Sequence, residues 1–375
     1  MTDEAAWAEW QGGTVDGAYT LGIEEEVMLL DPEDWSLAQR IETVLPRLDS
    51  QLADHVTPET HRSAIEVATG IHARVKEATA ELGDLRGQLA TQLQRLDLDA
   101  AAAGIHPCAV WQDTVVSEGA RYEFLHGSMR ELARREPTFA MHVHVGVPEP
   151  EAAIELANRL RGHLPTFLAL SANSPFWQGR DTGLASARTP LFGAFPRVGI
   201  PRAFADYAEY TEAVDLLIRC EAFPDPTFLW WDVRPQPRFG TVEIRIMDSQ
   251  TRVEDTAALA ALVQSVSRLE LSEGFVSAKL LALPEVLNEN RFLAARDGVH
   301  ASLVDPDAYL RRPLTEGLDE LLSRCRPHAQ DLGCEAELLL VPSLARENGA
   351  VRQLEQAQES DRLPDLVRHL ARDFC

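Results

Sequence analysis

Three consecutive glutamates, Glu24, Glu25 and Glu26, lie inside the apolar segment 21–30 and restrict how this part of the chain can fold. The segment predicts a β-strand. Side chains alternate along a strand, so Glu24 and Glu26 project from one face and Glu25 from the other, with the apolar residues. Two carboxylates on one face repel each other unless they are solvated, protonated or bound to a cation. The segment therefore predicts either a solvated edge strand or part of a cation site.

Three later segments repeat the combination of one apolar and one polar face. Each predicts a strand, because its apolar residues alternate with period two. The polar faces carry Glu66 in segment 61–68, His142 and His144 in segment 139–147, and Glu243 and Arg245 in segment 241–247. Taken singly, such residues also occur as solvated side chains, satisfied histidines or cross-strand ion pairs. Their recurrence on four strands favours a site for divalent cations and phosphate oxygens.

The composition limits the classes of partner and compartment. The chain has 375 residues, which is enough for a sizeable core. Its formal net charge of −24 and pI near 4.8 argue against nucleic acid as a partner, because phosphate binding needs a basic surface. It has no apolar run near the roughly 20 residues that span a membrane and no signal-peptide pattern, so we expect a cytoplasmic location without membrane association. Five scattered cysteines predict neither a disulfide framework nor a zinc site.

The periodicity predicts a loose N-terminal tail over residues 1–18 and a single domain over residues 19–375, without a clear linker. Between the polar strands, the predicted helices cover residues 41–52, 72–103, 121–135, 151–161, 164–170 and 203–220. Further strands are predicted over residues 105–111, 228–234 and 239–247. From about residue 253 to the end, the pattern predicts helices only.

Residues 176–202 form a long segment without regular periodicity, with four glycines and three prolines. Loops of this length inside a compact domain are usually lids or binding loops, unless they are disordered. The aromatic residues of the segment argue against disorder. We therefore interpret it as a functional loop.

Five motifs occur in order between about residue 20 and residue 255. They are Leu21-Gly-Ile-Glu-Glu-Glu26, Met141-His-Val-His-Val-Gly146, Leu170-Ser-Ala-Asn-Ser-Pro-Phe-Trp177, Asp181-Thr-Gly-Leu-Ala-Ser-Ala-Arg188, and Trp231-Asp-Val-Arg-Pro235 with Gly240-Thr-Val-Glu-Ile-Arg245. With these motifs the chain resembles the carboxylate-amine ligases of the second glutamate–cysteine ligase family.

That family resembles glutamine synthetase in fold. The resemblance implies an α+β fold with a curved, mostly antiparallel sheet, which holds metals on its concave face and is backed by helices. The implied metal ligands are Glu24, Glu26, Glu59, Glu66, His142 and Glu243. His144 and Arg245 would face the ATP phosphates, and Arg188 and Arg234 would bind a substrate carboxylate or phosphate. The implied cofactors are ATP and two or three Mg²⁺ ions, with Mn²⁺ as an alternative.

The implied reaction has two steps. A carboxylate, that of the glutamate side chain, attacks the γ-phosphate of ATP, and an amine such as cysteine then displaces phosphate to form an amide. An acyl phosphate hydrolyses if water enters, so residues 176–202 become the candidate lid. The expected partners are these small molecules, and a homodimer is the default assembly.

Two other functions remain open from the sequence. A metal-dependent hydrolase could use His142 and His144 with Glu24 and Glu26, although such barrel enzymes alternate strands and helices along the whole chain. A non-catalytic nucleotide-binding homologue is the other alternative. The acceptor amine is not specified by any motif. Trp177, Trp230 and Trp231 could line an acceptor pocket or lie in the core, and we favour the core.

Overall fold

The structure, a computed structural model, describes residues 6–12, 17–135, 137–360 and 362–375. Its strands are β1 Leu21–Leu30, β2 Val56–Pro58, β3 Ala64–Ala68, β4 Asp99–Ala101, β5 Ala140–Gly146, β6 Phe176–Trp177, β7 Arg180–Asp181, β8 Val198–Gly199, β9 Trp230–Trp231, β10 Val233–Gln236, β11 Thr241–Asp248, β12 Ser302–Asp305 and β13 Leu310–Pro313.

The α-helices of the same ranges are α1 Ile41–Val44, α2 Ser50–Ala53, α3 Val75–Gln94, α4 Ala120–Met129, α5 Pro150–Leu160, α6 Leu164–Ser171, α7 Arg188–Phe192, α8 Tyr207–Arg219, α9 Val253–Glu273, α10 Ala278–Leu281, α11 Pro284–Asp297, α12 Leu314–Leu332, α13 Glu335–Leu338, α14 Val341–Leu344, α15 Gly349–Glu359 and α16 Leu363–Arg372. Within these ranges, no helix combines the length and apolar character needed to cross a bilayer.

Among the described residues, seven strands form one sheet in the order β10-β11-β5-β1-β3-β2, and β4 pairs with β1. All pairings in this sheet are antiparallel, unlike the parallel barrel that the hydrolase alternative requires. The register places Glu24 opposite His142, and Glu26 opposite Glu66. The polar residues of the four predicted strands are therefore neighbours on one face.

The opposite face of the sheet packs on helices. Ile23 of β1, Val143 of β5 and Ile244 of β11 are fully buried, and α3, α6 and α9 contact these strands. The middle of α9 is buried on all sides, which is typical of a helix inside a large core. The predicted class, α+β with a mostly antiparallel sheet backed by helices, is confirmed.

Glu25 lies on this buried face, where its charge is paired with Arg86 of α3. Nε and Nη2 of Arg86 donate to Oε2 of Glu25 at 2.9 and 2.6 Å, and Thr256 Oγ1 donates to Oε1 at 2.6 Å. The other N–H groups of the guanidinium donate to three carbonyl oxygens, those of Gln250, Thr251 and Phe374. Because both groups are fully hydrogen-bonded, their burial is tolerated.

The C-terminal third is helical, as predicted, except for the hairpin of β12 and β13. Its turn begins at Asp305-Pro306, and Asp305 Oδ1 accepts from the backbone N–H groups of Asp307 and Ala308. This turn signal is present in the sequence, but the flanking strands are too short to show a clear period of two.

The predicted strand over residues 105–111 is wrong. His106 Nδ1 accepts from the backbone N–H groups of Cys108 and Ala109, so the side chain bends the chain into a turn instead. The actual strand in this region, β4, precedes it, and it falls inside the alanine-rich end of the helix predicted over residues 72–103. That helix, α3, ends at Gln94.

Part of the predicted loose tail lies outside the described residues, namely 1–5 and 13–16. Residues 6–12 and 17–18 of the tail are described, and residues 6–12 contact the rest of the protein. Trp10 Nε1 donates to the carbonyl of Val147 at 3.0 Å, and the backbone N–H of Gln11 donates to Pro237 at 2.9 Å. The single domain over residues 19–375 stays a prediction.

Replacing Arg86 tests how strongly the fold depends on the buried pair. Arg86→Met removes the guanidinium and leaves Glu25 buried without a counter-charge, so we expect a loss of about 3–5 kcal/mol in the free energy of unfolding, measured by urea denaturation. The matched control is Arg326→Met, which breaks the exposed Arg326–Glu335 pair of the same 2.6 Å length and should cost less than about 1 kcal/mol. Equal losses would contradict a central role for Arg86.

Candidate active site

The polar face of the sheet lines a cavity of about 460 Å³. The residues predicted as metal ligands, phosphate-facing groups and substrate arginines all line it. They are Glu24, Glu26, Glu59, Glu66, His142, His144, Arg188, Arg234, Glu243 and Arg245. The structure thus brings together residues from six separate parts of the chain, although their individual roles remain predictions.

His142 lies at the centre of the carboxylates. Its Nδ1 is 3.1 Å from Glu24 Oε2, 3.9 Å from Glu243 Oε1 and 4.0 Å from Glu66 Oε2. Its Nε2 is 4.0 Å from Glu26 Oε1. The potential ligand atoms form two groups, one of Glu24, His142 and Glu243 and the other of Glu26, Glu66 and His142, with all atoms of a group within 4.8 Å of one another.

Glu243 is held between two arginines. Arg234 Nε donates to Oε2 at 2.6 Å, and Arg245 Nη1 donates to Oε1. Arg234 also donates to the carbonyl oxygens of Leu229 and Thr227, at 2.6 and 3.3 Å. Most of the hydrogen-bonding capacity of Arg234 is therefore used within the protein, whereas Nε of Arg245 has no partner among the described residues.

His144 lies between Glu24 and Glu243. Its Nε2 is 3.2 Å from Glu24 Oε1 and 3.8 Å from Glu243 Oε1, and its Nδ1 is hydrogen-bonded with Thr241 Oγ1 at 2.9 Å. Burial lowers the pKa of His144, but the charges of Glu24 and Glu243 outweigh this effect and raise it. By contrast, burial and the nearby Arg245 lower the pKa of His142 to about 4.

The carboxylates divide into two electrostatic classes. Burial works against ionisation of Glu24 and Glu243, but the imidazoles beside Glu24 and the two arginines beside Glu243 hold both pKa values below their usual range. Burial and the charge of Glu59 raise the pKa of Glu26 to about 8. Burial, followed by the neighbouring carboxylates, raises the pKa of Glu66 well above its usual range, and burial also raises that of Glu59. Arg245 favours ionisation of all three carboxylates of the second class, but burial and the neighbouring carboxylates outweigh it.

These donors fit a hard divalent cation. Carboxylate oxygens and an imidazole nitrogen suit Mg²⁺ or Mn²⁺, and thiols are absent from the residues that line the cavity. Glu59 belongs to neither close group of ligand atoms, because its Oε2 accepts from the backbone N–H of Thr60 at 3.1 Å. It lines the same cavity as Glu66, and its charge contributes to the raised pKa of Glu66.

Several residues that line the cavity are not predicted from the sequence. Arg121 and Tyr122 of α4 lie at one wall, where Arg121 Nη1 donates to Thr227 Oγ1 at 2.8 Å and Tyr122 donates to the carbonyl of Pro58 at 2.7 Å. Trp230 also lines the cavity, although we expected it in the core. Residues of α4 face the cavity through tertiary packing, and no local motif marks them.

Comparison with solved structures identifies the fold. The glutamate–cysteine ligase of Francisella tularensis, solved in complex with AMP, matches with a TM-score of 0.69 at 13% identity, covering 95% of this chain and 89% of that one. A bifunctional glutathione synthetase from Pasteurella multocida has the same TM-score at 12% identity, covering 96% of this chain and 52% of that one. The chain has the fold of a glutamate–cysteine ligase.

Sequence comparison identifies the family. The family model of glutamate–cysteine ligase family 2 matches residues 20–368. A Rubrobacter xylanophilus protein provisionally named glutamate–cysteine ligase 2-1 is 40% identical over 356 residues, which cover 95% of this chain and 94% of that protein. A Sorangium cellulosum protein, provisionally named glutamate–cysteine ligase 2, is 38% identical over 350 residues, with 91% and 92% coverage. The chain belongs to glutamate–cysteine ligase family 2, which confirms the resemblance.

Thermal unfolding tests whether the carboxylates bind a cation. Mg²⁺ should raise the melting temperature of the native protein, because an ion at 100 times its Kd adds about 2.7 kcal/mol to the free energy of unfolding. Glu66→Gln should reduce this increase, yet be at least as stable as the native protein in chelator, because it removes a repelled carboxyl. The control Asp84→Asn changes an exposed acid outside the cavity and should keep the full increase. An equal response of all three proteins would contradict the site.

Proposed function

We propose that the protein is an ATP- and divalent-cation-dependent ligase that joins the side-chain carboxylate of glutamate, or of a similar acid, to an amine such as cysteine. The observation that carries the proposal is the presence of two carboxylate–imidazole groups and the arginines Arg188 and Arg245 in one cavity. This charge pattern can bind cations and phosphate together. Family membership and the names of the relatives support the same class.

The cations would be held in two places. Glu24, His142 and Glu243 would form one binding site, and Glu26 and Glu66 the other, with Glu59 as an additional ligand. When bound, Mg²⁺ or Mn²⁺ would neutralise the phosphates and polarise a phosphoryl oxygen. The raised pKa values of the second group support this assignment, because a bound cation would add positive charge where burial and neighbouring carboxylates outweigh the nearby arginines.

The reaction begins with two anions, and the arginines offset their repulsion. The acid carboxylate attacks the γ-phosphorus of ATP, which forms an acyl phosphate and releases ADP. The amine then attacks the acyl carbon, loses a proton, and displaces inorganic phosphate. Arg245 and Arg188 each have a buried Nε–H that has no hydrogen-bond partner among the described residues, and both are assigned to the developing phosphoryl charge. Arg234, which is engaged with Glu243, is assigned to holding that ligand in place.

His144, which lies beside Oε1 of Glu24, would also stabilise the phosphates. Its raised pKa supports this role, because the shift favours the positively charged form of a ring that lines the cavity. A reaction that consumes ATP fits the cytoplasmic location expected from the sequence. The homodimer remains a prediction.

The lid assignment of residues 176–202 is also part of the proposal. The segment contains β6, β7, α7 and β8, so it is more ordered than a plain loop. Phe192 and Phe195 from this segment line the cavity, and their apolar rings can exclude water from an acyl phosphate.

Phosphate release tests the reaction. With Mg²⁺-ATP, the native protein should release phosphate only when both glutamate and a suitable amine are present, and the amide product is detected by its mass. Arg245→Met should lower kcat by about 10²–10³-fold, because it removes a donor to the transferring group. The control Arg238→Met replaces a nearby exposed arginine that does not line the cavity and should leave kcat unchanged.

Two outcomes would contradict the ligase proposal. Turnover of an amide or ester substrate without ATP would favour the hydrolase alternative. Nucleotide binding without release of phosphate for any pair of acid and amine would favour the non-catalytic alternative. The phosphate-release assay is run with a panel of amines that includes cysteine, so it also identifies the acceptor.

Hydrogen exchange tests the lid. ATP and glutamate together should slow amide exchange in residues 176–202, because closure buries backbone groups that are otherwise open to water. The hairpin of β12 and β13 lies outside the cavity lining and serves as an internal control whose exchange should not change. If ATP and glutamate left the exchange rates of residues 176–202 unchanged, the segment would not be a lid.

A further inference from the structure

A fully buried carboxylate, Asp248, lies at the end of β11 and outside the cavity lining. Its Oδ2 accepts from the backbone N–H of Asn173 at 2.9 Å and from Ser174 Oγ at 2.7 Å. Its Oδ1 accepts from Ser186 Oγ at 2.9 Å and lies 3.8 Å from Nη1 of Arg188. None of the steps assigned above uses this group, although it is in close contact with an arginine of the cavity.

Asp248 contacts two neighbouring segments, residues 173–174 and residues 186–188, which lie 60 or more residues before it in the chain. The backbone N–H of Ser174 donates to the carbonyl of Ala185 at 3.2 Å, and that of Ala187 donates to the carbonyl of Ser174 at 2.9 Å. Ser174 Oγ donates to Asp248 and accepts from the backbone N–H of Arg188 at 3.2 Å. The hydroxyl therefore links the carboxylate directly to the backbone of Arg188.

The guanidinium of Arg188 is held by two backbone carbonyls of β11, at the place where the pairing of this strand with β5 is irregular. Its Nη1 donates to the carbonyl of Ile246 at 3.1 Å, and its Nη2 donates to the carbonyl of Arg245 at 3.3 Å. The register between β11 and β5 shifts between Ile244 and Met247, so these two carbonyls lie where the regular pairing is interrupted. Nε of Arg188 is left without a partner among the described residues.

Asp248 supplies the charge that this arrangement needs. Arg188 is buried, and in the described part of the chain Asp248 is the only carboxylate within 4 Å of its guanidinium. A buried guanidinium without a counter-charge is costly. Gly104 packs directly on the carboxylate, because a Cβ at this position would lie 2.5 Å from Asp248 Cγ. The carboxylate therefore has little freedom to turn away from Arg188.

We infer that Asp248 is a positioning residue for the ligase reaction, which fixes Arg188 so that its Nε–H points to the anionic groups in the cavity. The inference rests on the proposed function, because it requires an anionic substrate or a transferring phosphoryl group beside Arg188. Asp248 itself does not touch the reacting atoms. Its carboxylate and the Ser174 and Ser186 hydroxyls act through the arginine.

A double-mutant cycle tests this role. Asp248→Asn keeps the size of the side chain and removes its charge, and it should lower kcat about 10–100-fold while the KM for the amine stays unchanged. Arg188→Lys should lower kcat by about 10²–10³-fold. The double variant should be no slower than Arg188→Lys alone, because both substitutions remove the same interaction. Losses that multiply in the double variant, or a KM that rises for every substrate, would show that Asp248 only stabilises the fold.

Two further variants keep the test decisive. Ser186→Ala removes one hydrogen bond from Asp248 and should give a smaller decrease of kcat with the same non-additivity, even if Asp248→Asn fails to fold. Asp255→Asn breaks another largely buried pair, Asp255–Arg352, which does not line the cavity. It should lower the melting temperature without changing kcat. A native protein without turnover would overturn both the proposed function and this inference, whereas native turnover with multiplied losses would overturn the inference alone.

Discussion

The buried pair of Glu25 and Arg86 is the interaction on which the arrangement of β1 depends. Glu25 can lie among apolar residues only because all N–H groups of Arg86 find acceptors, in the carboxylate and in three backbone carbonyls. Since side chains alternate along the strand, fixing Glu25 inward forces Glu24 and Glu26 outward into the cavity. A register shift by one residue would bury two carboxylates without partners. The central glutamate of the triplet is therefore structural, and it orients the two outer glutamates.

On the polar face of the sheet, by contrast, the protein compensates the negative charge only in part. Glu243 is paired with two arginines and Glu24 with two imidazoles, and these groups are held ionised and in place. In the described part of the chain, neither Glu26 nor Glu66 has an arginine within 4 Å, and burial together with neighbouring carboxylates raises their pKa values. The protein thus compensates the charge of Glu24 and Glu243 more fully than that of Glu26 and Glu66. In the proposed ligase, cations and phosphates would complete the second pair, and the binding of each would then favour the other.

The sequence predicts the faces of the polar strands, because alternation is local and a one-residue register error would bury charge. It also predicts the site residues Glu24, Glu66, His142 and Glu243 as one group, although only the family resemblance suggests which strands are neighbours. Arg121 is not predicted, since α4 reaches the cavity through tertiary packing. Asp248 is not predicted either, because its partners Ser174 and Ser186 are more than 60 residues away in the chain. The turn made by His106 depends on a side-chain hydrogen bond that periodicity does not reveal.

The acceptors of Arg86 have a consequence for synthesis on the ribosome. The guanidinium is saturated only when the carbonyls of Gln250, Thr251 and Phe374 are in place, and Phe374 lies 288 positions further along the chain. Strand β1 is synthesised long before Phe374, so the Arg86 that pairs with its buried Glu25 lacks one of its acceptors until residue 374 has been added. Contacts of such sequence separation form slowly, and incomplete chains expose apolar strands meanwhile. The hydrogen bonds of Arg86 are therefore completed only after 288 further residues have been added to the chain, although the strands of the sheet end at Asp248.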